Sequence, residues 1–150
     1  MWSGIEWSEC DVTKKLEKAW ESLARDQKAA ALSLREHGLH GPSIGRAYYA
    51  AYSELTSALI GQGQTSFGKK FKNPEHASLP QLAQNGLRSL GLSDRRTIAS
   101  TVRRMRSRRE DADYRPLINL PPRCRLKRSR IWPVFAMRWH EGASYEARED

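Results

Sequence analysis

The chain contains few of the residues from which disulfide-rich, metal-binding or membrane-spanning proteins are built. Its 150 residues include only Cys10 and Cys124, and these with four scattered histidines offer neither a disulfide framework nor a metal-ligand spacing. No apolar run approaches the roughly 20 residues of a transmembrane helix. The opening MWSGIEWSEC has no basic or apolar region typical of a signal peptide. We therefore expect a cytoplasmic protein that holds no metal or cofactor.

Acidic residues are scarce in one part of the chain. Residues 95–130 hold 13 basic side chains against 3 acidic ones, whereas the rest holds 13 basic and 14 acidic, so the net charge of +9 comes from this segment. A concentrated positive field attracts polyanions, of which nucleic acid is the commonest in the cytoplasm. A solvated arginine-rich helix face without a specific partner would look the same. Charge alone does not separate these two interpretations.

Strand-like alternation of apolar residues is also lacking, and helical periodicity takes its place. The pattern predicts an all-α fold, an antiparallel up-and-down bundle of four to five helices. This bundle is predicted over residues 10–118, followed by a basic, proline-containing extension with a short aromatic helix at 119–150. The four main helices are predicted at 11–37, 43–60, 79–90 and 93–114.

The predicted helix ends rest on local signals. Gly38 and Gly61 are expected to end the first two helices, because glycine tolerates the left-handed conformation found there. Pro80 is expected near the start of the third helix and Ser93 at the N-cap of the fourth. The segment 61–77 lacks periodicity and is predicted to be a mobile, basic loop.

One arginine of the fourth helix interrupts an apolar stripe. Ile98, Val102 and Met105 recur at helical spacing, and the next position in this rhythm is Arg109. A guanidinium on an inward stripe requires a carboxylate, a phosphate or several hydrogen bonds. A snorkelling arginine, or one paired with Asp113 four residues later, also fits the pattern.

Two motifs give the chain a resemblance to a known family. SIGRAYYAAYSEL at 43–55 resembles the second helix of HEPN domains, and REDADY at 109–114 resembles the R-x-x-A-D-Y that ends a later helix of these domains. His76 stands where many of them have a histidine that introduces the next helix. The similarity covers about residues 10–118.

The resemblance implies a helical bundle that forms a homodimer through its motif-bearing helices. In many members an R-x4–6-H motif cleaves RNA without a metal, and relatives without it bind RNA or nucleotides. Such domains are common in prokaryotic toxin–antitoxin and phage-defence systems, often beside a nucleotidyltransferase. Arg109 and Tyr114 become the candidate catalytic residues, and the candidates for binding RNA or nucleotide are Arg46, Tyr49, His76, Arg103, Arg104, Arg106 and Asp113.

The chain departs from the family at the catalytic histidine. Tyr114 stands where R-x4-H would place it, and a tyrosine with an ordinary pKa near 10 is a poor base at neutral pH. Arg35 and His40 fit R-x4-H literally, but they flank a predicted helix end in the wrong helix. We therefore expect weak or absent ribonuclease activity.

Three functional hypotheses remain open at this point. The first is an RNA-directed, toxin-like HEPN protein with a degenerate ribonuclease site. The second is a non-catalytic nucleotide-binding or scaffolding subunit that partners a nucleotidyltransferase. The third is a membrane-surface protein that uses the basic run 123–130 beside Trp132, Phe135 and Trp139.

Overall fold

A computed structural model describes residues 9–64, 67 and 73–115 of the chain. These ranges contain four helices and no strand, so the all-α helical prediction is confirmed for them. The extension predicted at 119–150 lies outside the described residues. The helices are α1 (Glu9–Glu36), α2 (His40–Gly61), α3 (Leu79–Gly86) and α4 (Leu92–Tyr114).

Helix α2 lies at the centre of the bundle. It packs against α1, α3 and α4, and α4 also packs against α3. Burial of apolar surface stabilises this arrangement, at about 25 cal/mol for each Å² removed from water. The largest fully buried side chains come from α2, the start of α3, the α3–α4 connection and α4, and they include Tyr48, Leu55, Leu59, Ile60, Leu79, Leu87, Ile98 and Val102.

Helices α1 and α2 pack antiparallel, as predicted. The Ser43 hydroxyl near the start of α2 donates to the Ala31 carbonyl near the end of α1, at 2.7 Å. The Ser57 hydroxyl near the end of α2 donates to the Glu17 carbonyl in the first half of α1, at 3.1 Å. Small hydroxyl side chains at both contacts let the helix backbones approach closely.

The face by which α1 meets α2 differs from the predicted stripe. Leu16 and Leu23 belong to the apolar residues that recur at helical spacing along α1, but they are 42% and 40% exposed. The buried residues of α1 are Ala24 and Ala31. Periodicity located the apolar side of α1, but the close α1–α2 contact selects the small residues beside the leucines.

The predicted end of α1 is confirmed in detail. Gly38 has a φ of +76°, and the N–H of Leu39 donates to the carbonyl of Leu34 at 2.9 Å. The Gly38 N–H donates to the Arg35 carbonyl, which completes the glycine-terminated helix end called a Schellman motif. α2 then begins at His40, three residues before its predicted start, because Pro42 falls in the first turn, where a helix needs no N–H donor.

Other predicted boundaries differ in detail. α2 does end at Gly61, which lies against the Glu17 side chain, but the glycine with the left-handed backbone is Gly63, with a φ of +85°. α3 ends at Gly86 rather than at residue 90, although its predicted proline is present in the first turn. α4 begins at Leu92 with Gly91 as its N-cap, so Ser93 does not cap it. Within the described residues, no helix is long and apolar enough to cross a membrane.

Candidate functional site

Three tyrosines of α2 lie close together. The Tyr49 ring meets Arg109 of α4, whereas the Tyr52 ring also packs edge-on against Trp20 of α1, with the ring centroids 5.9 Å apart. Tyr48 and Tyr52 are four residues apart and therefore lie one turn above each other, with Tyr49 beside them. Tyr48 is fully buried, Tyr52 is 7% exposed and Tyr49 is half-buried. Their rings form an aromatic wall inside the bundle, to which polar hydroxyls are attached.

The segment before α3 brings His76 onto this wall. The Tyr52 hydroxyl donates to the Pro74 carbonyl at 2.6 Å, which fixes the backbone two residues before the histidine. Nδ1 of His76 lies 2.8 Å from the Tyr48 hydroxyl. The His76 ring centroid is 4.5 Å from that of Tyr52, 5.6 Å from that of Tyr48 and 5.9 Å from that of Tyr49. His76 is therefore held by contacts with three residues of α2.

Arg109 of α4 approaches the same wall from the other side. Its guanidinium carbon lies 5.6 Å from the Tyr49 ring centroid and 5.8 Å from the Tyr114 ring centroid, within the range of cation–π attraction. Its Nε lies 2.8 Å from Oδ2 of Asp113. The side chain is only 20% exposed, so the expectation that Arg109 lies on an inward stripe agrees with its position.

The contact between Arg109 and Asp113 is an ion pair of poor hydrogen-bond geometry. Nε of Arg109 is buried and has no well-directed hydrogen-bond partner in spite of the short distance. We regard the pair as a Coulombic contact, because the 2.8 Å separation is clear while the N–H direction is not satisfied. Burial works against the charge on Arg109, but Tyr49 and Asp113 outweigh it and raise the pKa of the guanidinium.

The pKa of His76 is set first by burial and then by two arginines of α4. Burial lowers the pKa of His76, and the positive charges of Arg109 and then Arg106 lower it further. Arg106 is half-buried and pairs through Nε with Oε1 of Glu110 at 2.9 Å. Burial also raises the pKa of Tyr48 to about 12, so its phenol remains protonated.

These residues form one group, which we call the tyrosine–arginine cluster: Tyr48, Tyr49, Tyr52, His76, Arg106 and Arg109. It combines two fixed positive charges, a neutral imidazole and aromatic rings. Guanidinium groups and N–H donors of this kind bind phosphoryl oxygens, and aromatic rings provide stacking surfaces.

Two of the predicted site residues lie at the edge of the cluster. Tyr114, in the last turn of α4, is 71% exposed. Asp113 lies near the start of α2, where a Cβ built on Gly45 would be 3.9 Å from its Oδ1. This is an ordinary van der Waals distance, so the carboxylate that pairs with Arg109 lies directly beside the backbone of α2 at Gly45.

Other predicted site residues lie elsewhere. The Arg46 guanidinium donates to Oε1 of Gln27 on α1 at 3.1 Å, so it faces α1 and not Arg109. Arg103 and Arg104 are exposed on the outer face of α4, together with Arg108. Arg35 and His40 are both exposed at the α1–α2 connection, and neither belongs to the cluster.

Sequence reasoning did not assign Tyr48 and Tyr52 to the site. Their i,i+4 spacing was visible in the sequence, but their role depends on the hydrogen bonds to His76 and Pro74, some 22 to 28 positions further along the chain. No local pattern reports contacts at this separation.

Among residues 9–64, 67 and 73–115, no group of three or more His, Cys, Asp or Glu side chains is arranged to hold a metal ion. Comparisons of the chain with protein-family models, with curated proteins and with solved structures find no match.

Proposed function

We propose that this chain is a HEPN-like RNA-binding protein, a toxin-like member of a prokaryotic toxin–antitoxin or phage-defence system. The observation that carries the proposal is the placement of Arg109 between two tyrosine rings, in the same cluster as His76 and Arg106. These are the parts that the resemblance assigns to a phosphate-handling site. They come from three separate stretches of the chain.

The chemistry of the cluster favours a phosphodiester ligand. A guanidinium held by aromatic rings loses little side-chain entropy on binding, and its planar donors match phosphoryl oxygens. The exposed ring of Tyr114, next to Arg109, offers a surface on which a nucleobase can stack. A ligand that carries both a phosphate and a base satisfies both features, and RNA is such a ligand.

The outer face of α4 contributes the long-range attraction. Arg103, Arg104 and Arg108 are exposed there, and positive charges near a binding site steer polyanions toward it even when they do not touch the scissile or bound phosphate. We therefore assign them to sequence-independent binding of the RNA backbone.

The proposed site binds RNA but cleaves it slowly or not at all. A tyrosine at the position of the family's histidine is a poor base near neutral pH. Any cleavage that does occur is proposed to be metal-independent, with Arg109 stabilising charge on the phosphoryl group.

A homodimer, which the resemblance implies, belongs to the same proposal, and sedimentation velocity at micromolar concentration tests it.

A second candidate function rests on the exposure of Tyr114. Its hydroxyl-bearing ring is 71% exposed beside Arg109, so a partner nucleotidyltransferase can reach it. In this version the chain is a non-catalytic subunit, and the partner modifies Tyr114. Mass spectrometry of the protein after co-expression with a candidate nucleotidyltransferase would show a nucleotidyl adduct that Tyr114→Phe abolishes.

The main proposal is tested by the binding of fluorescently labelled single-stranded RNA. We expect affinity to fall steeply with salt, because bound counterions are released when phosphates are neutralised. The triple variant Arg103→Glu, Arg104→Glu, Arg108→Glu should weaken binding by at least about tenfold and reduce the salt slope by up to about three.

The matched control is a triple charge reversal on α1, in which Lys14, Lys18 and Arg25 are changed to Glu. These three side chains are also exposed, and the change in net charge is identical. Equal losses in the two triple variants would show that only overall charge matters. No binding at low salt, or binding to anionic vesicles instead of RNA, would contradict the proposal outright.

Cleavage is measured separately on the same RNA, with and without EDTA. We expect the wild-type protein to show at most slow cleavage of the RNA. This cleavage should persist in EDTA and disappear in Arg109→Ala. Robust cleavage that survives Arg109→Ala would place the chemistry outside the cluster.

A further inference from the structure

The hydrogen bond between Tyr48 and His76 determines which ring nitrogen of the histidine carries its proton. We infer that Tyr48 holds His76 in the tautomer that is protonated on Nε2, so that His76 donates a hydrogen bond to its ligand and accepts no proton from it. Tyr48 is then a positioning residue, because it acts on the ligand only through His76.

The direction of this hydrogen bond follows from the burial of Tyr48. The side chain is completely buried, and within the described residues its hydroxyl has one partner, Nδ1 of His76 at 2.8 Å. A buried hydroxyl that makes no donor bond costs roughly 1–3 kcal/mol. If Nδ1–H donated instead, the phenolic hydrogen would point into the core without an acceptor. The hydroxyl therefore donates, and Nδ1 is unprotonated.

The other groups around the ring do not compete for Nδ1. The Tyr52 hydroxyl is committed to the Pro74 carbonyl, and Tyr49 meets the histidine edge-on at a centroid distance of 5.9 Å. From α4, the charged groups that reach His76 are Arg106 and Arg109, both positive. Positive neighbours disfavour an imidazolium, so the ring is neutral and its single proton resides on Nε2.

The consequence for the ligand rests on the proposed function. If the cluster binds an RNA phosphate, Nε2–H of His76 and the guanidinium of Arg109 supply two donors to phosphoryl oxygens. General-base catalysis requires the opposite tautomer, with Nε2 free to accept the proton of a ribose 2′-OH. The Tyr48 hydrogen bond therefore favours binding over cleavage at this site.

The tautomer is measured by nitrogen-15 NMR of the histidine rings in the full-length protein at pH 7.5. Signals of His76 are assigned by their loss in His76→Gln. We expect Nε2 to show a directly attached proton and Nδ1 to show none. A proton on Nδ1 of His76 would overturn the inference.

The role of Tyr48 is tested by Tyr48→Phe, which removes only the hydroxyl, with Tyr49→Phe as the matched control. We expect Tyr48→Phe to mix the two tautomers and to raise the pKa of His76, because the hydrogen bond that stabilises the neutral ring is lost. Tyr49→Phe should leave the tautomer as it is. If Tyr48→Phe does not fold, the wild-type spectrum decides alone, and an unchanged tautomer in a folded Tyr48→Phe would contradict the assignment.

Two further variants ask whether the Nε2 donor matters to RNA. His76→Gln places an amide N–H near the position of Nε2, whereas His76→Asn places one nearer that of Nδ1. We expect Gln to retain most of the RNA affinity and Asn to lose about three- to tenfold, the effect of one hydrogen bond. Equal RNA affinities of the two variants would show that Nε2–H of His76 does not donate to the RNA. If His76 has the expected tautomer but the protein does not bind RNA, the proposed function is wrong and the tautomer assignment is still correct.

Discussion

The two sides of α2 meet different kinds of buried ionisable group. The side that meets α1 carries Glu54, with Lys28 of α1 as the main opposing charge and Glu17 and Glu21 on the facing helix. The side that meets α4 carries the tyrosine–arginine cluster. Burial raises the pKa of Glu54 to about 7 and lowers the pKa of His76.

Burial therefore drives both sides toward neutrality, but the remaining charges differ. On the α1 side burial shifts the Glu54 carboxyl group toward its neutral form. On the α4 side the histidine becomes neutral, while Arg106 and Arg109 keep their charges because a guanidinium does not deprotonate. Among the described residues, this leaves the two guanidinium charges of Arg106 and Arg109 beside the cluster on the α4 side. The difference is the reason why we propose that an anionic ligand binds on this side.

The largest expected effect comes from removing the inward positive charge. Arg109→Ala should weaken RNA binding by tenfold or more, because a charge-assisted hydrogen bond is worth about 1.5–3 kcal/mol. It should also lower the free energy of unfolding by about 1–2 kcal/mol, since the packing on Tyr49 and the pair with Asp113 are lost.

Arg108→Ala is the control for this comparison. Arg108 is the preceding residue on the same helix, but it is exposed. Its replacement should change the unfolding free energy by no more than about 0.5 kcal/mol and affect RNA affinity only modestly. Urea denaturation and RNA titration of both variants check this. Similar losses of stability and RNA affinity in the two variants would mean that the inward position of Arg109 contributes to neither.

An intermediate effect is expected from the hydroxyl that fixes the segment before α3. Tyr52→Phe removes the 2.6 Å hydrogen bond to the Pro74 carbonyl and should cost about 1–2 kcal/mol of stability, because this buried acceptor loses its partner. It should also loosen His76 on the wall, visible as broader ring signals. Tyr49→Phe removes a hydroxyl on a half-buried tyrosine and should cost less. If the two variants are equally stable, the Tyr52 contact does not anchor the segment.

Much of this comparison was already accessible from sequence. Periodicity placed the four helices, and the rhythm from Ile98 through Met105 placed Arg109 on the inward face. Asp113 was one of the partners anticipated for it, and the structure contains that ion pair. These predictions concern neighbours within one helix, where spacing determines proximity.

The rest depends on contacts between distant segments. Arg46 was one of the predicted RNA- or nucleotide-binding residues, but the packing of α1 on α2 places it against Gln27. The burial of Ala24 in place of Leu23 follows from how closely two particular helices approach. The hydrogen bond between His76 and Tyr48 joins the segment before α3 to α2 across 28 positions of the chain. Such features follow from tertiary packing, which a periodic pattern does not encode.

The smallest effects concern pH, and here the two sides of α2 should respond in opposite directions. The pKa of His76 is lowered by folding, so between the ordinary value near 6.5 and its folded value the unfolded chain binds more protons. Stability therefore falls as pH drops through this window. The pKa of Glu54 is raised to about 7, so between about 4.5 and 7 the folded chain binds more protons. Stability from this group falls as pH rises.

Two neutral variants separate these opposing contributions. Relative to wild type, His76→Gln should gain stability as pH falls from 6.5 toward 5, because a disfavoured imidazolium is no longer formed. Glu54→Gln should gain stability as pH rises from 5 toward 8, because no buried carboxylate has to be charged. Each difference should stay below about 1.4 kcal/mol per pH unit, the limit for one proton, since both groups are partly solvated. Urea midpoints at four pH values measure both, and slopes of the same sign would show that burial does not act oppositely on the two sides of α2.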